Sequence, residues 1–296
     1  MTRWLAETIA QHPTHALLAA LATALLSFLI IPAAILCAAI IATITLTYNT
    51  RTAAMLLLMT GVVIAVSAPF MPSRPGLEIP VALLLLAPTA LCAKVLDLSR
   101  SLALTITLAT LLAWLGALAI QLISGDATAW WQVWLEQALA GVPDASMDGF
   151  RAEGILPIFN GLVATLFGLA VSAAVLLGRW LQTLAAKPGR FAGEFQQLRL
   201  TRMLPVVMSL ILAVSYLFTE SLFGQFLLIF LLPFYFQGLA VLHATVGEHP
   251  RKAVLLMPPY LLLIFIPQFV YTGMALAGLS DLFFNFRKIM PPPPAS

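Results

Sequence analysis

The stretch of sequence that decides the fold is Met203 to Thr245, MLPVVMSLILAVSYLFTESLFGQFLLIFLLPFYFQGLAVLHAT. It is almost wholly apolar, and the polar residues Thr219-Glu220-Ser221 divide it into two runs. The runs have roughly 17 and roughly 23 residues, and about 20 apolar residues are needed for a helix to cross a bilayer. The pattern therefore predicts a hairpin of two transmembrane helices with Glu220 at its turn.

Basic segments flank this hairpin on both sides. Residues 179–202, here called the basic loop, carry five cations against the single acid Glu194: Arg179, Lys187, Arg190, Arg199 and Arg202. The other flank ends in Arg251 and Lys252. Because cytoplasmic loops of membrane proteins carry the excess of Lys and Arg, both flanks are predicted to be cytoplasmic and Glu220 to lie at the far face.

The composition of the whole chain agrees with a membrane environment. Its 296 residues are 61% hydrophobic and only 9% charged, with a mean hydropathy of +1.00. An ordinary soluble domain is about 45–50% apolar and about one quarter charged. So little charge cannot cover a water-facing surface, so an all-α polytopic transmembrane bundle is expected, with the lipid bilayer as its main partner. The net charge of +3 is confined to a few loops and does not form a nucleic-acid-binding patch.

The predicted organisation is a single transmembrane helical domain over residues 16–288, with eight or nine membrane segments. Residues 1–15 form a cytoplasmic or interfacial amino terminus with a short interfacial helix, and the proline-rich residues 289–296 form a disordered tail. Residues 16–47 are too long for one straight span. They form either one kinked helix or two short ones, and Pro32 favours two, near 16–31 and 33–48.

The side of the carboxy terminus is left open by the sequence. The last predicted span, Ala253 to Leu279, is interrupted by Pro258-Pro259 and Pro267. If it crosses the membrane, Arg287 and Lys288 lie outside, against the charge rule. Either this segment is re-entrant, or an earlier apolar run does not cross.

Two further patterns predict how one span packs and where the acidic insert lies. In the span Ser101 to Ile123, small and polar residues recur every four positions and indicate a packing seam inside the bundle: Thr105, Ala109, Ala113, Ala117 and Gln121. The acidic insert 125–153 is predicted to be extracytoplasmic. Its tryptophan-bearing face, which includes Trp131, Trp134 and Leu135, indicates a helix in the headgroup layer or a ligand platform.

No pattern typical of catalysis is present in the sequence. There is no Gly-x-Ser-x-Gly elbow, no His-Glu-x-x-His helix and no phosphate-binding glycine loop, which are the usual signatures of nucleophilic, zinc and nucleotide sites. Cys37 and Cys92 lie in apolar runs and are expected to pack as small apolar residues. We therefore predict a protein that is not an enzyme, with no catalytic residue, cofactor or metal. Glu220 is the one candidate for ion coupling, and its predicted place is a surface turn.

The remaining candidates for function are uncharged polar residues beside prolines. Tyr235, Gln237, Gln268 and Asn160 are predicted to bind a small-molecule substrate, because proline-broken helices build binding sites in many transporters. Hydrogen bonding between helices is the alternative role for the same residues. Arg190, Arg199 and Arg202 are predicted to bind a cytoplasmic protein partner or anionic lipid.

The carboxy-terminal half resembles a known family. Leu232-Pro233-Phe234-Tyr235-Phe236-Gln237-Gly238, the short basic loop after it, and the proline-rich helix that ends in Asp281 through Arg287-Lys288 resemble the YybS-like bacterial integral membrane proteins, a domain of unknown function. Residues 203–288 carry this resemblance, whereas the amino half matches only in its pattern of spans. In fold, that family is distantly similar to substrate-binding subunits of energy-coupling-factor transporters and to the rod-shape protein MreD.

Two functions are consistent with these observations. The first is a bacterial inner-membrane protein that binds a substrate or assists transport and has no energy source of its own. The second is a membrane scaffold, similar to MreD, that recruits cytoplasmic or envelope proteins through the basic loop.

Overall fold

The computed structural model of the chain describes residues 2–70, 79–140, 147–218, 220–246 and 253–289. Every regular element in these ranges is a helix, so the predicted all-α class holds for this part of the chain. Three predicted features lie outside the described residues: the turn 71–76, the basic pair Arg251-Lys252, and nearly all of the proline-rich tail.

Fifteen α-helices follow one another along the described ranges, with short 3-10 turns at 68–70, 156–158 and 253–256. They are α1 Thr2–Gln11, α2 Pro13–Leu26, α3 Pro32–Thr47, α4 Thr50–Ser67, α5 Val81–Ser99, α6 Leu102–Ser124, α7 Ala127–Leu139, α8 Asp148–Ala152, α9 Phe159–Ala186, α10 Arg190–Gln196, α11 Leu204–Phe218, α12 Glu220–Val246, α13 Met257–Phe265, α14 Pro267–Phe284 and α15 Phe286–Ile289.

Five of these helical segments, two of them counted together with an adjoining 3-10 turn, are long and apolar enough to cross a membrane: Thr50–Phe70, Val81–Ser99, Leu102–Ser124, Leu156–Ala186 and Leu222–Val246. Their outer faces carry large apolar side chains that are exposed, such as Leu58 on α4, Leu122 on α6 and Leu166 on α9. In a soluble protein such surfaces would cause aggregation, whereas in a bilayer they contact lipid. The chain is therefore a multi-pass membrane protein.

Prolines and capping side chains determine where the helices begin. Pro32 and Pro267 are the first residues of α3 and α14, a position where the missing N–H of proline costs nothing. Residues 16–47 thus form two helices, as predicted, although α2 ends at Leu26 because a turn occupies residues 27–31. The carboxamide of Asn49 accepts a hydrogen bond from the Thr52 N–H and caps the start of α4.

The core contains three long helices that run in the same direction. Ala42 and the Leu46 carbonyl on α3 contact Gly178 and Gln182 on α9, respectively, so α3 and α9 are parallel. Gly161 and Gly168 on α9 lie against Gln225 and Leu232 on α12, so α9 and α12 are parallel as well. Small residues at these contacts let the backbones approach closely, which is how helices associate in lipid.

The fourth parallel helix is α14, which packs along α12. Gly278 lies against the carbonyl of Phe234, and Gly238 against the carbonyl of Met274. A Cβ added at either glycine would overlap the facing backbone, so both positions require glycine for the close approach. These two glycine contacts mark the point at which the helices cross. The Tyr271 hydroxyl donates to the Leu228 carbonyl at 2.9 Å, and this bond, taken with the contact of Gly278 and Phe234, shows that the two helices run in the same direction.

This register brings the end of α14 to the same end of the bundle as the end of α12. Because α12 and α14 are parallel, the intervening segment, including α13, must return along the bundle before α14 begins. The guanidinium of Arg287 consequently reaches the Leu198 carbonyl of the basic loop, 2.8 Å away. We call the end of the bundle at which α3, α9, α12 and α14 terminate the basic end, and the opposite end the far end.

The packing seam predicted for α6 is confirmed except at Gln121, whose carboxamide is not buried and bonds to the backbone of Gly125 and Ala127. Thr105, Ala109, Ala113 and Ala117 are all buried, and Gly168 of α9 packs against Ala109 and Ala113. At the far end, the predicted helix in the acidic insert is α7, which begins at Ala127 because the Asp126 carboxylate accepts hydrogen bonds from the Thr128 and Ala129 N–H groups.

Candidate functional site

At the far end, one cluster of amides connects four elements of the bundle. Asn160, in the first turn of α9, is only 2% exposed. Its Nδ2 donates to the Ala117 carbonyl of α6 and to Gln225 Oε1 of α12, at 3.0 and 2.9 Å. Its Oδ1 accepts from the Trp131 indole N–H, 3.1 Å away. Because both Nδ2 hydrogens and the oxygen have partners, Asn160 acts here as a connector between helices.

The Trp131 bond also corrects the prediction for α7. We expected its tryptophan-bearing face to contact the headgroup layer or a ligand. Instead, Trp131 and Leu135 are buried, and the Trp131 ring packs on Phe159 with centroids 5.2 Å apart. The indole N–H needs a hydrogen-bond acceptor when it is buried, and Asn160 supplies that acceptor inside the protein.

Towards the basic end, Gln237 and Asp281 form a second buried polar pair, and both are 0% exposed. Gln237 Nε2 donates to Asp281 Oδ2 at 2.9 Å, and Gln237 Oε1 accepts from the Leu200 N–H at 2.9 Å. Asp281 Oδ1 accepts from the Phe286 N–H at 3.0 Å. The pair therefore ties α12, α14, the basic loop and the last helical turn together.

The carboxylate of Asp281 also has a cationic partner. Arg287 Nη2 lies 3.5 Å from Asp281 Oδ2 and donates to the Leu198 carbonyl. A buried carboxylate is tolerated only when it is paired and hydrogen-bonded, and both conditions are met here. Removing one partner of a buried ion pair is strongly destabilising, because the other charge is left without compensation.

The importance of Asp281 was missed by the sequence interpretation, which named it only as part of the segment that ends in Arg287-Lys288. A signal was available: Asp281 is the only charged residue between Ala253 and Phe286. An isolated acid in an apolar run is retained only where a specific partner faces it. The identity of that partner could not be deduced, because Gln237 and Arg287 become neighbours only through the parallel packing of α12 and α14.

The basic loop is held to α9 by a further ion pair. Arg179 is 6% exposed, and it binds the Glu194 carboxylate through Nε and Nη2 at 2.9 and 2.7 Å. Arg190 donates to the same carboxylate at 2.7 Å. The hydrogen bond from Arg179, partly opposed by burial, lowers the pKa of Glu194 below the usual glutamate value. This fork geometry fixes α10 against the end of α9.

Three tyrosines and a histidine form two ring contacts where α12 meets α13 and α14, and we call the region between these side chains the tyrosine cleft: Tyr235, His243, Tyr260 and Tyr271. The Tyr235 and Tyr271 rings lie 5.1 Å apart. The Tyr235 hydroxyl makes no hydrogen bond among the described residues and is not one of their fully buried unpaired atoms, whereas the Tyr271 hydroxyl donates to Leu228. An accessible hydroxyl without an internal partner can donate to a ligand and accept from one.

His243 and Tyr260 form the second contact of the tyrosine cleft, and this contact includes polar atoms. His243 Nδ1 lies 2.8 Å from the Leu239 carbonyl, and because a carbonyl can only accept, Nδ1 carries the hydrogen. In the neutral ring, Nε2 then accepts from the Tyr260 hydroxyl, 3.3 Å away. Tyr260 belongs to α13, a helix with no buried residue. The cleft is therefore closed on one side by a short helix that is weakly attached to the bundle.

The predicted substrate residues do not converge on one point. Tyr235 lines the tyrosine cleft, whereas Gln237 faces Asp281 on another side of α12, and Gln268 is exposed in the first turn of α14. Asn160 bonds to Gln225, and twelve residues of α12 between Gln225 and Gln237 span about 18 Å. The substrate-binding role predicted for these residues stays a prediction. Asn160 and Gln237 are occupied by internal hydrogen bonds, whereas the side chains of Tyr235 and Gln268 make none within the described residues.

The predicted partner-binding arginines are all exposed, but two of them already have internal bonds. Arg190 binds Glu194, and Arg202 Nε donates to the Leu282 carbonyl at 3.1 Å. Arg199 makes no hydrogen bond or ion pair within the described part of the chain. Nor do the described residues contain a group of three or more His, Cys, Asp or Glu side chains that could hold a metal ion.

The chain matches no family model, no curated protein and no solved structure. The resemblance of residues 203–288 to the YybS-like family therefore stays an expectation based on the sequence motif alone.

Proposed function

We propose that the chain is a bacterial inner-membrane protein that binds a small molecule, either as a substrate-binding subunit or as a transport-associated protein without its own energy source. The site is the tyrosine cleft. The observation that carries the proposal is the Tyr235 hydroxyl, which stands among aromatic rings and makes no hydrogen bond within the described residues, although it is not fully buried. A polar group that stays accessible among apolar side chains can fix the orientation of a bound ligand.

The chemistry of the cleft indicates the class of ligand. Its walls offer aromatic rings, one free hydroxyl and a hydrogen-bonded histidine–tyrosine pair, and no Asp, Glu, Lys or Arg is among its four defining residues. A flat, mainly apolar molecule with one uncharged hydrogen-bonding end fits this surface. The weak attachment of α13, which has no buried residue, provides a route for such a molecule from the lipid.

The proposed topology follows from the charge rule and from the parallel helices. With the basic end in the cytoplasm, α2, α3, α4, α5, α6, α9, α11 and α12 give eight crossings, and both termini are cytoplasmic. The segment with α13 and α14 then enters and leaves from the cytoplasmic side as a re-entrant hairpin. This arrangement places Arg287 with the other cations, so the conflict in the charge rule disappears.

Native mass spectrometry of the purified chain, after extraction in mild detergent, tests the proposed function. We expect a bound small molecule on the wild-type protein. Tyr235→Phe removes only the hydroxyl, and the loss of one hydrogen bond should lower the occupancy by about three- to tenfold. Tyr216→Phe is the matched control, because Tyr216 is exposed on α11, and it should leave the occupancy unchanged.

Two results would contradict the proposal: no bound small molecule on the wild type, or equal occupancy of wild type and Tyr235→Phe. The scaffold function is then the better account if a co-purifying protein is lost when Arg190, Arg199 and Arg202 are neutralised. The ion pair of Arg190 with Glu194 weighs against that function, since the charge of Arg190 is already neutralised within the protein.

A further inference from the structure

A patch of three arginines lies at the basic end, where residues 198–202 pass the last turn of α14. Arg202 Nε donates to the Leu282 carbonyl at 3.1 Å, and Arg287 Nη2 donates to the Leu198 carbonyl at 2.8 Å. These two bonds hold the chain on either side of Arg199 against α14. We call Arg199, Arg202 and Arg287 the arginine patch.

The positive charge of the arginine patch is only partly neutralised. Asp281 is the one acid with an ion pair to the patch within the described residues, and it is completely buried. Burial lowers the pKa of Arg287, and the charge of Arg199 lowers it further, while Asp281 raises it. Three cations therefore face one acid, and two positive charges remain for an anion.

The patch also contains a donor without an acceptor. Nε of Arg287 is buried and has no hydrogen-bond partner in the described structure. Arg199 is exposed and lies close enough to affect Arg287 electrostatically. Arg202 caps the Leu282 carbonyl of α14, and Arg287 binds the Leu198 carbonyl of the basic loop. Neither bond explains the unpaired Nε or the presence of Arg199.

The surroundings of the arginine patch are apolar and exposed. Phe283 and Phe284 follow Leu282 on α14, and Met203 and Val206 follow Arg202 at the start of α11. All four side chains are more than half exposed. A soluble acidic partner would leave this surface in water, whereas a phospholipid would place its phosphate on the arginines and its acyl chains beside these residues.

We propose that Arg199, Arg202 and Arg287 form a binding site for the phosphate headgroup of an anionic phospholipid. Guanidinium groups bind phosphate oxygens through two parallel N–H bonds, and Arg199 has its full set of donors free. The site lies on the side of α12 that faces Asp281, and the proposal does not depend on the tyrosine cleft.

The test measures lipid retention by native mass spectrometry on the full chain, with phosphatidylglycerol and phosphatidylcholine added in equal amounts. Wild-type protein should retain phosphatidylglycerol preferentially. Arg199→Gln should reduce that preference by about fivefold, the contribution of one interfacial basic residue, with no change in melting temperature. Arg51→Gln removes the same charge from an exposed residue of α4 and should leave the preference unchanged.

A second variant tests the geometry of the patch. Arg287→Lys keeps the charge but removes Nε and the planar fork, so we expect a weaker preference for phosphatidylglycerol than in the wild type. Equal retention of the two lipids by wild-type protein would overturn the proposal, and so would an equal effect of Arg51→Gln and Arg199→Gln. Displacement of the lipid by millimolar inorganic phosphate would assign the site to a soluble phosphate compound and overturn the lipid assignment.

Discussion

Two short helical hairpins, α2–α3 and α13–α14, are built alike but are held in the molecule very differently. In both, a proline begins the second helix, and that helix lies parallel to a longer one through small residues. In α3, however, 12 of 16 residues are buried, against 4 of 18 in α14 and none in α13. The first hairpin is thus part of the core, whereas the second rests mainly on α12.

The difference explains where the candidate sites are found. A helix surrounded on all sides must satisfy its polar groups within the protein, as Thr43 does by donating to the Ala39 carbonyl. A hairpin attached along one line leaves a cleft on one side and an exposed edge on the other. The tyrosine cleft and the arginine patch lie on these two sides of the contact between α12 and α14.

The largest expected effect comes from breaking the core hairpin. Gly178→Leu would place a side chain against the backbone of α3, because an added Cβ already overlaps Ala39 and Ala42. We expect a loss of at least about 4 kcal/mol in the free energy of unfolding, and hence no monodisperse folded protein in size-exclusion chromatography. Gly116→Leu is the control, because a Cβ at Gly116 meets nothing within 4 Å. A normal elution profile for Gly178→Leu would refute the role given to α3.

Breaking the second hairpin should have a local effect only. Gly238→Leu overlaps the backbone at Met274 and should separate α14 from α12 while α3 and α9 stay packed. Hydrogen exchange followed by mass spectrometry should then show loss of amide protection in residues 267–284 and retained protection in residues 159–178. Loss of protection in both ranges would mean that the two hairpins are equally important for the fold.

The third prediction concerns the polar link between α14 and the basic loop. Asp281→Asn leaves Arg287 without its charge partner, and we expect destabilisation by about 2–3 kcal/mol, less than for a fully buried pair because Arg287 is partly exposed. Asp97 forms ion pairs with Lys94 and Arg100, and the side chains of Asp97, Lys94 and Arg100 are 26%, 34% and 65% exposed. Asp97→Asn should therefore lower the free energy of unfolding by less than about 1 kcal/mol. Thermal unfolding in detergent measures both, and equal shifts would contradict the buried role of Asp281.

The smallest expected effect is a dependence of stability on pH through Glu194. Its pKa is lowered in the folded protein, chiefly by the hydrogen bond from Arg179. The stabilisation is therefore complete above the ordinary glutamate pKa of about 4.3, and it is lost as the pH falls through the lowered value. The melting temperature of Glu194→Gln should depend less on pH than that of the wild type between about pH 6 and about pH 3, a range that includes the ordinary glutamate pKa of about 4.3. An unchanged slope would show that Glu194 does not contribute.

The sequence was sufficient to predict the helices but not their neighbours. The two helices of the run 203–245, the division at Pro32 and the buried small residues of α6 all depend on local apolar pattern, and the structure contains each of them. The parallel contact of α12 with α14 depends on Gly238 and Gly278, which are forty residues apart. Small residues indicate that some helix approaches closely, but they do not identify it.

The same limit applies to the candidate site. Tyr235 and Gln237 are neighbours in sequence, and the sequence interpretation therefore assigned them to one site. On a helix, two residues at this spacing point in directions about 200° apart, and the structure places them in different clusters. Which of them meets Asp281 is decided by the register of α14 alone.

The most direct test of the account is the side of the membrane at which the carboxy terminus lies. A reporter fused after Ser296 should be cytoplasmic, and a single cysteine at Lys187→Cys, with Cys37 and Cys92 replaced, should react only in inverted membrane vesicles. A cysteine at the exposed residue Glu153→Cys should react in intact cells. An extracellular carboxy terminus combined with a cytoplasmic residue 187 would contradict the parallel packing of α12 and α14, and with it the tyrosine cleft and the arginine patch.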